Sequence, residues 1–280
     1  MAAPSRPGTL AFVLLFLMIG PGVAALIAGT PGTPLKFRVL PEERIFPRIH
    51  ASGQAHQLGI AKDLGSRQWF GDIGGERPLF ELSGGPVDVQ AGIGATVHAG
   101  ILRKPPLLQV VTVDFVVDFP IDFRITQELS IRTGYGHFSA HIADDGIEVL
   151  SLHPINYAKD YVTLLGSYRF PEHHAMVYAG GRYDFHTLPA RDKHLVAQVG
   201  GEIQPLQLFE GCRLYAAVDF RLKEESAWRA IQSYQAGCEL SGPAATAIRV
   251  AYTFRTGSDD RGQFFDRTLT ASLFGVYIDL

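Results

Sequence analysis

The chain is poor in several things, and each shortage excludes something. It has two cysteines in 280 residues, charged residues make up only 19%, and a single asparagine, Asn156, stands in the whole sequence. Two cysteines exclude a disulfide-rich scaffold. A net charge of −3 provides no basic surface of the kind that nucleic acid selects, so no nucleic-acid partner is expected. Past residue 28 no stretch is long and apolar enough to cross a bilayer as a helix, which takes about 20 residues.

The N-terminus holds the one continuous apolar run. Arg6 precedes Leu10 to Ile19, and a Gly20-Pro21 break leads into small residues ending at Ala28. A basic start, a short hydrophobic core and small residues predict a signal peptide over 1–28, cleaved after Ala25 or Ala28. No cysteine follows the run, so a lipoprotein anchor is not expected. Residues 29–54 mix prolines with charges and show no periodicity. They are expected to be irregular, either a periplasmic tail or a plug inside a barrel.

From residue 55 to residue 280 the pattern has period two. Val111, Val113, Phe115, Val117, Phe119, Ile121 and Phe123 alternate with Thr112, Asp114, Asp118, Asp122 and Arg124. The alternation recurs from Val87 to Ile101, Tyr161 to Phe170, Leu195 to Ile203, Cys212 to Lys223 and Ile248 to Arg255. From Met176 to His186 it sets Val177, Ala179, Tyr183 and Phe185 against Arg182, Asp184 and His186. One face charged and one apolar, strand after strand, is the pattern of lipid outside and a polar lumen inside. Only a closed barrel satisfies backbone hydrogen bonds in hydrocarbon without helices. The expected fold is all-β: a closed antiparallel transmembrane β-barrel of about 12 strands, in the bacterial outer membrane. The first two strands are weakly patterned, which leaves ten as the other count.

Short turns such as Ser83 to Pro86 alternate with longer polar links, including Arg103 to Leu108, Ile142 to Asp160 and Thr256 to Arg267. The first class suits the periplasmic end and the second the outer end. Phe274, Val276, Ile278 and Leu280 continue an apolar ridge to the last residue. This resembles the C-terminal signal that outer-membrane proteins present to the barrel-assembly machinery. Cys212 and Cys238 flank the hairpin at Glu224 to Arg229 and are expected to face each other across neighbouring strands. Two readings stand for them, a disulfide or two lipid-facing thiols.

The chemistry-bearing stretch is Gly134 to His141. On a strand from Leu129 to Ala143, His137, Ser139 and His141 share the apolar face with Leu129 and Ile131. Serine needs an adjacent base, and the base needs an orienting group. The parity of the following strand, carried back through Asp160 and Ala158, turns Asn156 outward. His137 as base, Ser139 as nucleophile and Asn156 as orienting residue would form a site for acyl transfer at the lipid boundary.

This arrangement is similar to the outer-membrane phospholipase A family, a twelve-stranded barrel with an outward His-x-Ser and an Asn near the next strand. Ala140-His141 stands where that family has Asn-Gly. The lipid A deacylases carry a similar His-x-Ser pair. The phospholipase resemblance implies calcium, for which the loop residues Asp144, Asp145, Asp160, Asp259 and Asp260 offer carboxylates; without compact spacing, solvated loop carboxylates are the preferred reading. More of the chain, from Val39-Leu40-Pro41-Glu42-Glu43-Arg44 to Gly262-Gln263-Phe264-Phe265, resembles an uncharacterised family of bacterial outer-membrane barrels, domain of unknown function 1207. Two functions are therefore expected as alternatives. One is a serine hydrolase acting on outer-membrane phospholipid or lipopolysaccharide. The other is a non-enzymatic structural barrel or narrow pore with a charged lumen.

Overall fold

A strand that alternates apolar and charged residues needs a surface with two unlike sides. The computed structural model, which describes residues 34–190, 192–241 and 246–280, supplies one by closing a sheet on itself. The signal peptide expected over 1–28 lies outside the described residues. The strands are β1 (Lys36–Val39), β2 (Leu58–Asp63), β3 (Gln68–Ser83), β4 (Asp88–Lys104), β5 (Leu107–Arg124), β6 (Leu129–Ile142), β7 (Tyr157–Phe170), β8 (Ala175–Leu188), β9 (Leu195–Phe209), β10 (Cys212–Lys223), β11 (Ala230–Ser241), β12 (Ala247–Ser258) and β13 (Thr268–Asp279). β2 to β13 pair in chain order, all antiparallel, and β13 pairs back onto β2, so twelve strands form a closed barrel. β1 is an extra strand, paired to the end of β3 from Phe80 to Ser83.

The outside is the apolar side. Phe115, Phe119, Val162, Leu164, Val177, Val199, Ile203, Tyr252, Phe274 and Val276 are all exposed on it. On the inside lie Asp114, Asp122, Lys159, Asp184, Asp219, Arg221 and Arg249, all buried. Apolar residues out and charges in is the transmembrane arrangement; a water-soluble barrel would reverse it. No helix among the described residues is long and apolar enough to cross a membrane.

Two connections differ from expectation. The link expected from Arg103 to Leu108 is a hairpin in which only Pro105-Pro106 stand between β4 and β5. Proline has no N–H to add to a ladder, so the pairing stops there and resumes at once. The link after β6 holds a two-turn helix, α1 (Asp144–Leu150), tied to β5 by Asp145 Oδ2 accepting the Val110 N–H at 3.1 Å. Asp144 and Asp145 lie in its first turn, where the helix dipole favours acidic groups.

From Arg44 to Gln57 the chain runs through the lumen as a plug. Ile45, Phe46 and Ala51 on it are buried, and its polar groups bond to the wall. Arg44 pairs with Glu76, the Ile45 N–H donates to Gln90 Oε1 at 3.1 Å, and His56 Nε2 lies 2.7 Å from Asp118 Oδ2. Gly94 leaves the room His56 needs, because a methyl group there would overlap the imidazole. Residues 29–54, expected to be irregular, divide: those before Pro34 lie outside the described residues, Lys36–Val39 form β1 against β3, and the stretch from Arg44 on lies inside the barrel.

The tightest knot is Arg249 on β12, 1% exposed. It donates to both oxygens of Asp279 at 2.7 and 3.0 Å, to Gln235 Oε1 at 2.9 Å and to Gln57 Oε1 of the plug at 2.9 Å. Removing one partner of a buried pair strands the other charge, at a cost of about 3–5 kcal/mol. Arg249→Ala should therefore lower the unfolding free energy by about that amount. Urea denaturation of the refolded protein, followed by tryptophan fluorescence, measures it.

The loop after β12 and the turn after β10 close the long-loop end of the barrel with further pairs. Burial pushes the Asp260 carboxyl up, but Arg221, Lys223 and Arg255 outweigh it and hold the group well below the usual carboxylate range. Burial likewise raises Glu225, and Lys223, Lys159 and Tyr157 bring it down. A carboxylate depressed in the folded state contributes stability that is complete above its unfolded value, about 4. That contribution is lost as pH falls through the lower folded value. The thermal midpoint should thus drop steeply below about pH 4, and Asp260→Asn, weaker at pH 7, should show a shallower acid decline in the same scan.

Candidate outward-facing active site

β6 is fixed in its rotation by what it buries. Phe138 and Ala140 point inward, packed with Val116, Tyr157 and Tyr161, and Phe265 packs against the group. Gly136, also inward, leaves space for the Tyr161 ring, whose hydroxyl donates to Asp118 Oδ1 at 2.9 Å. With the even positions so anchored, Tyr135, His137, Ser139 and His141 face out.

The register of β6 on β7 sets His137 opposite Asp160 and Ser139 opposite Ala158. His137 Nδ1 lies 2.7 Å from Asp160 Oδ1. The Tyr135 hydroxyl donates to the same oxygen at 2.9 Å, and His186 Nδ1 lies 2.9 Å from Oδ2. The His137 and Asp160 side chains are 43% and 24% exposed. An acid with three polar neighbours thus sits on the barrel's outer side, where apolar residues are the rule. Ser139 comes two residues along the same face and makes no side-chain hydrogen bond to another described residue. His141 stacks edge-on against Phe115 with ring centroids 5.7 Å apart. Ser139 lies one residue pair from the start of the β6–β7 ladder, within about 10 Å of the barrel's loop end at roughly 3.3 Å per residue.

The side chain that meets His137 is Asp160, where Asn156 is the residue expected beside it. Asn156 is exposed just ahead of β7, where its neighbour Ile155 is bound through both backbone groups by Gln263. Asp160 holds His137 instead. The pairing that puts Asp160 opposite His137 leaves Asn156 beyond the end of the ladder. Parity alone places Asp160 on the lipid-facing side, and an aspartate there is as anomalous as His137. His186 is hidden from sequence reasoning for a different reason. The register shifts between Asp160 and Tyr161, so that Asp160 faces His186 and Tyr161 faces Asp184, leaving Phe185 as the extra residue of a bulge. The bulge turns His186 from the lumen side, where strict alternation puts it, to the outside.

Cys212 and Cys238 are joined by a disulfide, with Cα atoms 6.6 Å apart. They do not face each other directly: Cys212 is opposite Leu240, and Cys238 is opposite Leu214. The pair is diagonal, two residues off the expected register. The carboxylates considered for calcium do not converge. Asp145 takes the Val110 N–H, Asp160 its three side-chain neighbours, Asp259 the Arg261 guanidinium, and Asp260 pairs with Arg221 and Lys223. They do not fit a shared calcium ion.

Among solved structures the chain is similar to a double variant of OccD1 (OprD), at 8% identity over 86% of this chain and 98% of that one, with a TM-score of 0.31. It is similar to the outer membrane protein OprD from Pseudomonas aeruginosa at 7% identity, 86% and 96% coverage and a TM-score of 0.31. In-vitro folded OmpT, an outer membrane protein of Vibrio cholerae, gives 9%, 90% and 98%, and 0.33. The barrel itself is defined by the chain's own strand pairing. None of the curated proteins compared with the chain matches it significantly. Over residues 58–277, from β2 almost to the end of β13, the chain matches the family described as Protein of unknown function (DUF1207), and it belongs to that family.

Proposed function

We propose that the protein is an outer-membrane serine hydrolase that cleaves an ester of phospholipid or lipopolysaccharide in the outer leaflet. The observation that carries this reading is the 2.7 Å pair of His137 and Asp160 on the outer face, two residues from Ser139. Lipid lies against that face, so the ester need not leave the membrane to reach the serine.

In this reading Ser139 Oγ attacks the ester carbonyl while His137 Nε2 takes its proton. Asp160 accepts the Nδ1–H, fixing the tautomer and balancing the imidazolium as it forms. The leaving alcohol receives that proton from His137, and an acyl group remains on Ser139. Water, deprotonated by the same imidazole, then releases the fatty acid and restores the serine. Tyr135 and His186 hold the Asp160 carboxylate in place. In this reading the Ser139–His137 hydrogen bond forms when substrate binds, as catalytic hydrogen bonds that are long or absent in the free enzyme often do.

The lumen supports this reading over an open pore. The plug and the ion pairs around Arg132, Arg182, Arg221 and Arg249 occupy the lumen, which weighs against a wide open channel.

Refolded protein in mixed micelles of phospholipid and lipopolysaccharide should release fatty acid. Ser139→Ala and His137→Ala should each reduce the rate by about a thousandfold or more, and Asp160→Asn by about 10²–10⁴-fold. Asn156→Ala should stay within about twofold, since nothing ties it to His137. Fatty-acid release by Ser139→Ala equal to that of the unmodified protein would overturn the assignment and leave the barrel a structural role.

A further inference from the structure

Away from the outer site, the short-turn end of the lumen gathers one histidine and three carboxylates from four separate segments. His50 comes from the plug, Glu202 from β9, Glu239 from β11 and Asp279 from β13. The His50 side chain is 9% exposed, and its Nδ1 lies 2.7 Å from Glu202 Oε2. Its other nitrogen, Nε2, is 3.7 Å from Asp279 Oδ2. That is too long for a hydrogen bond. It is close to the separation of about 3.4 Å between two ligand atoms that each sit about 2.1 Å from one tetrahedral ion. Glu239 completes the set: one ligand atom from each of His50, Glu239 and Asp279 lies within 4.8 Å of the others.

The histidine is held as metal-binding histidines are held. A carboxylate on one ring nitrogen fixes the tautomer and turns the lone pair of the other toward the ion. Glu202 occupies that place here. Asp279 is steadied in the same way by Arg249, which donates to both its oxygens. Arg249 and Arg48 act electrostatically on Asp279, and Arg48 also lies near Glu239, so these cations offset part of the cluster's negative charge. An imidazole among the ligands selects an ion of the zinc class over calcium or magnesium, which take oxygen.

We propose that His50, Glu239 and Asp279 bind a divalent transition-metal ion, and that the ion clamps the plug to the barrel wall. Glu202 is the positioning residue. The site is independent of the outward-facing serine and stands whether or not that serine is catalytic.

The test uses the full refolded chain in detergent, stripped with EDTA, with Zn²⁺ as the probe. Calorimetry should find one equivalent bound at micromolar affinity or tighter. Trypsin cleavage at the plug residues Arg44 and Arg48 should slow at least tenfold when zinc is added. Glu202→Gln should weaken binding about 10–100-fold, and His50→Ala and Glu239→Gln should weaken it further. The double change His173→Ala with His174→Ala, in the exposed turn after β7, should leave binding as it was. Because His50→Ala removes a plug contact, its folding is checked by heat-modifiable gel migration. If that variant fails to fold, Glu239→Gln, on the wall, decides between the two outcomes. Zinc bound no better than 1 mM, undiminished binding by Glu239→Gln, or trypsin cleavage indifferent to zinc would each overturn the clamp and leave His50 an ion-pair partner of Glu202 and Asp279.

Discussion

Closure of β2 against β13 is the constraint on which everything else depends. In hydrocarbon an unpaired backbone group has no water to turn to, so an open sheet edge is not tolerated. The seam that prevents this is short, six residue pairs from Leu273↔Asp63 to Ile278↔Leu58. Once it is made, each strand has one side toward lipid and one toward a narrow interior. The apolar ridges and the charged rows then have nowhere else to go. The His137 cluster follows from the same geometry, because Phe138 and Ala140 cannot be buried inside without turning their neighbours out.

A narrow lumen filled with charge is stable only if the charge is matched. Here the matching is done partly by the wall and partly by the plug. Arg132 bonds to Asp122 and Glu76 on the wall, while Glu76 also takes Arg44 from the plug. Arg249 joins β12 to β13, to β11 and to Gln57 of the plug. Plug and wall are thus parts of one polar network, in which each buried group relies on the next. The burial of charge that would weigh against a barrel of this size becomes the means by which its interior is closed.

Much of this is legible in the sequence because the side-chain period of a strand is two and the barrel repeats it. The run from Val111 to Phe123 shows both faces without ambiguity. What stays obscure at that level has local causes. Strict alternation cannot foresee a bulge, so it puts His186 on the wrong face. A small slip in hairpin geometry moves every cross-strand pair, which is why the cysteines are diagonal partners. A helix of two turns such as α1 is too short to show a period. Asp160 is legible in part: its parity is readable, but its pairing with His137 depends on register across a loop of fourteen residues, 143–156. The plug is the least readable part, since its buried residues, Ile45, Phe46 and Ala51, follow no period and match the wall by individual contacts.

The plug has a consequence for how such a molecule can be assembled. It is continuous with β2, one side of the seam, and so lies beside the first strand before the last strand arrives. The sheet can curl around it as β3 to β13 are added, and the ring shuts over a core already in place. No segment has to be threaded through a finished barrel. The final pairing of β13 with β2 then encloses the plug in the same step that removes the last open edge.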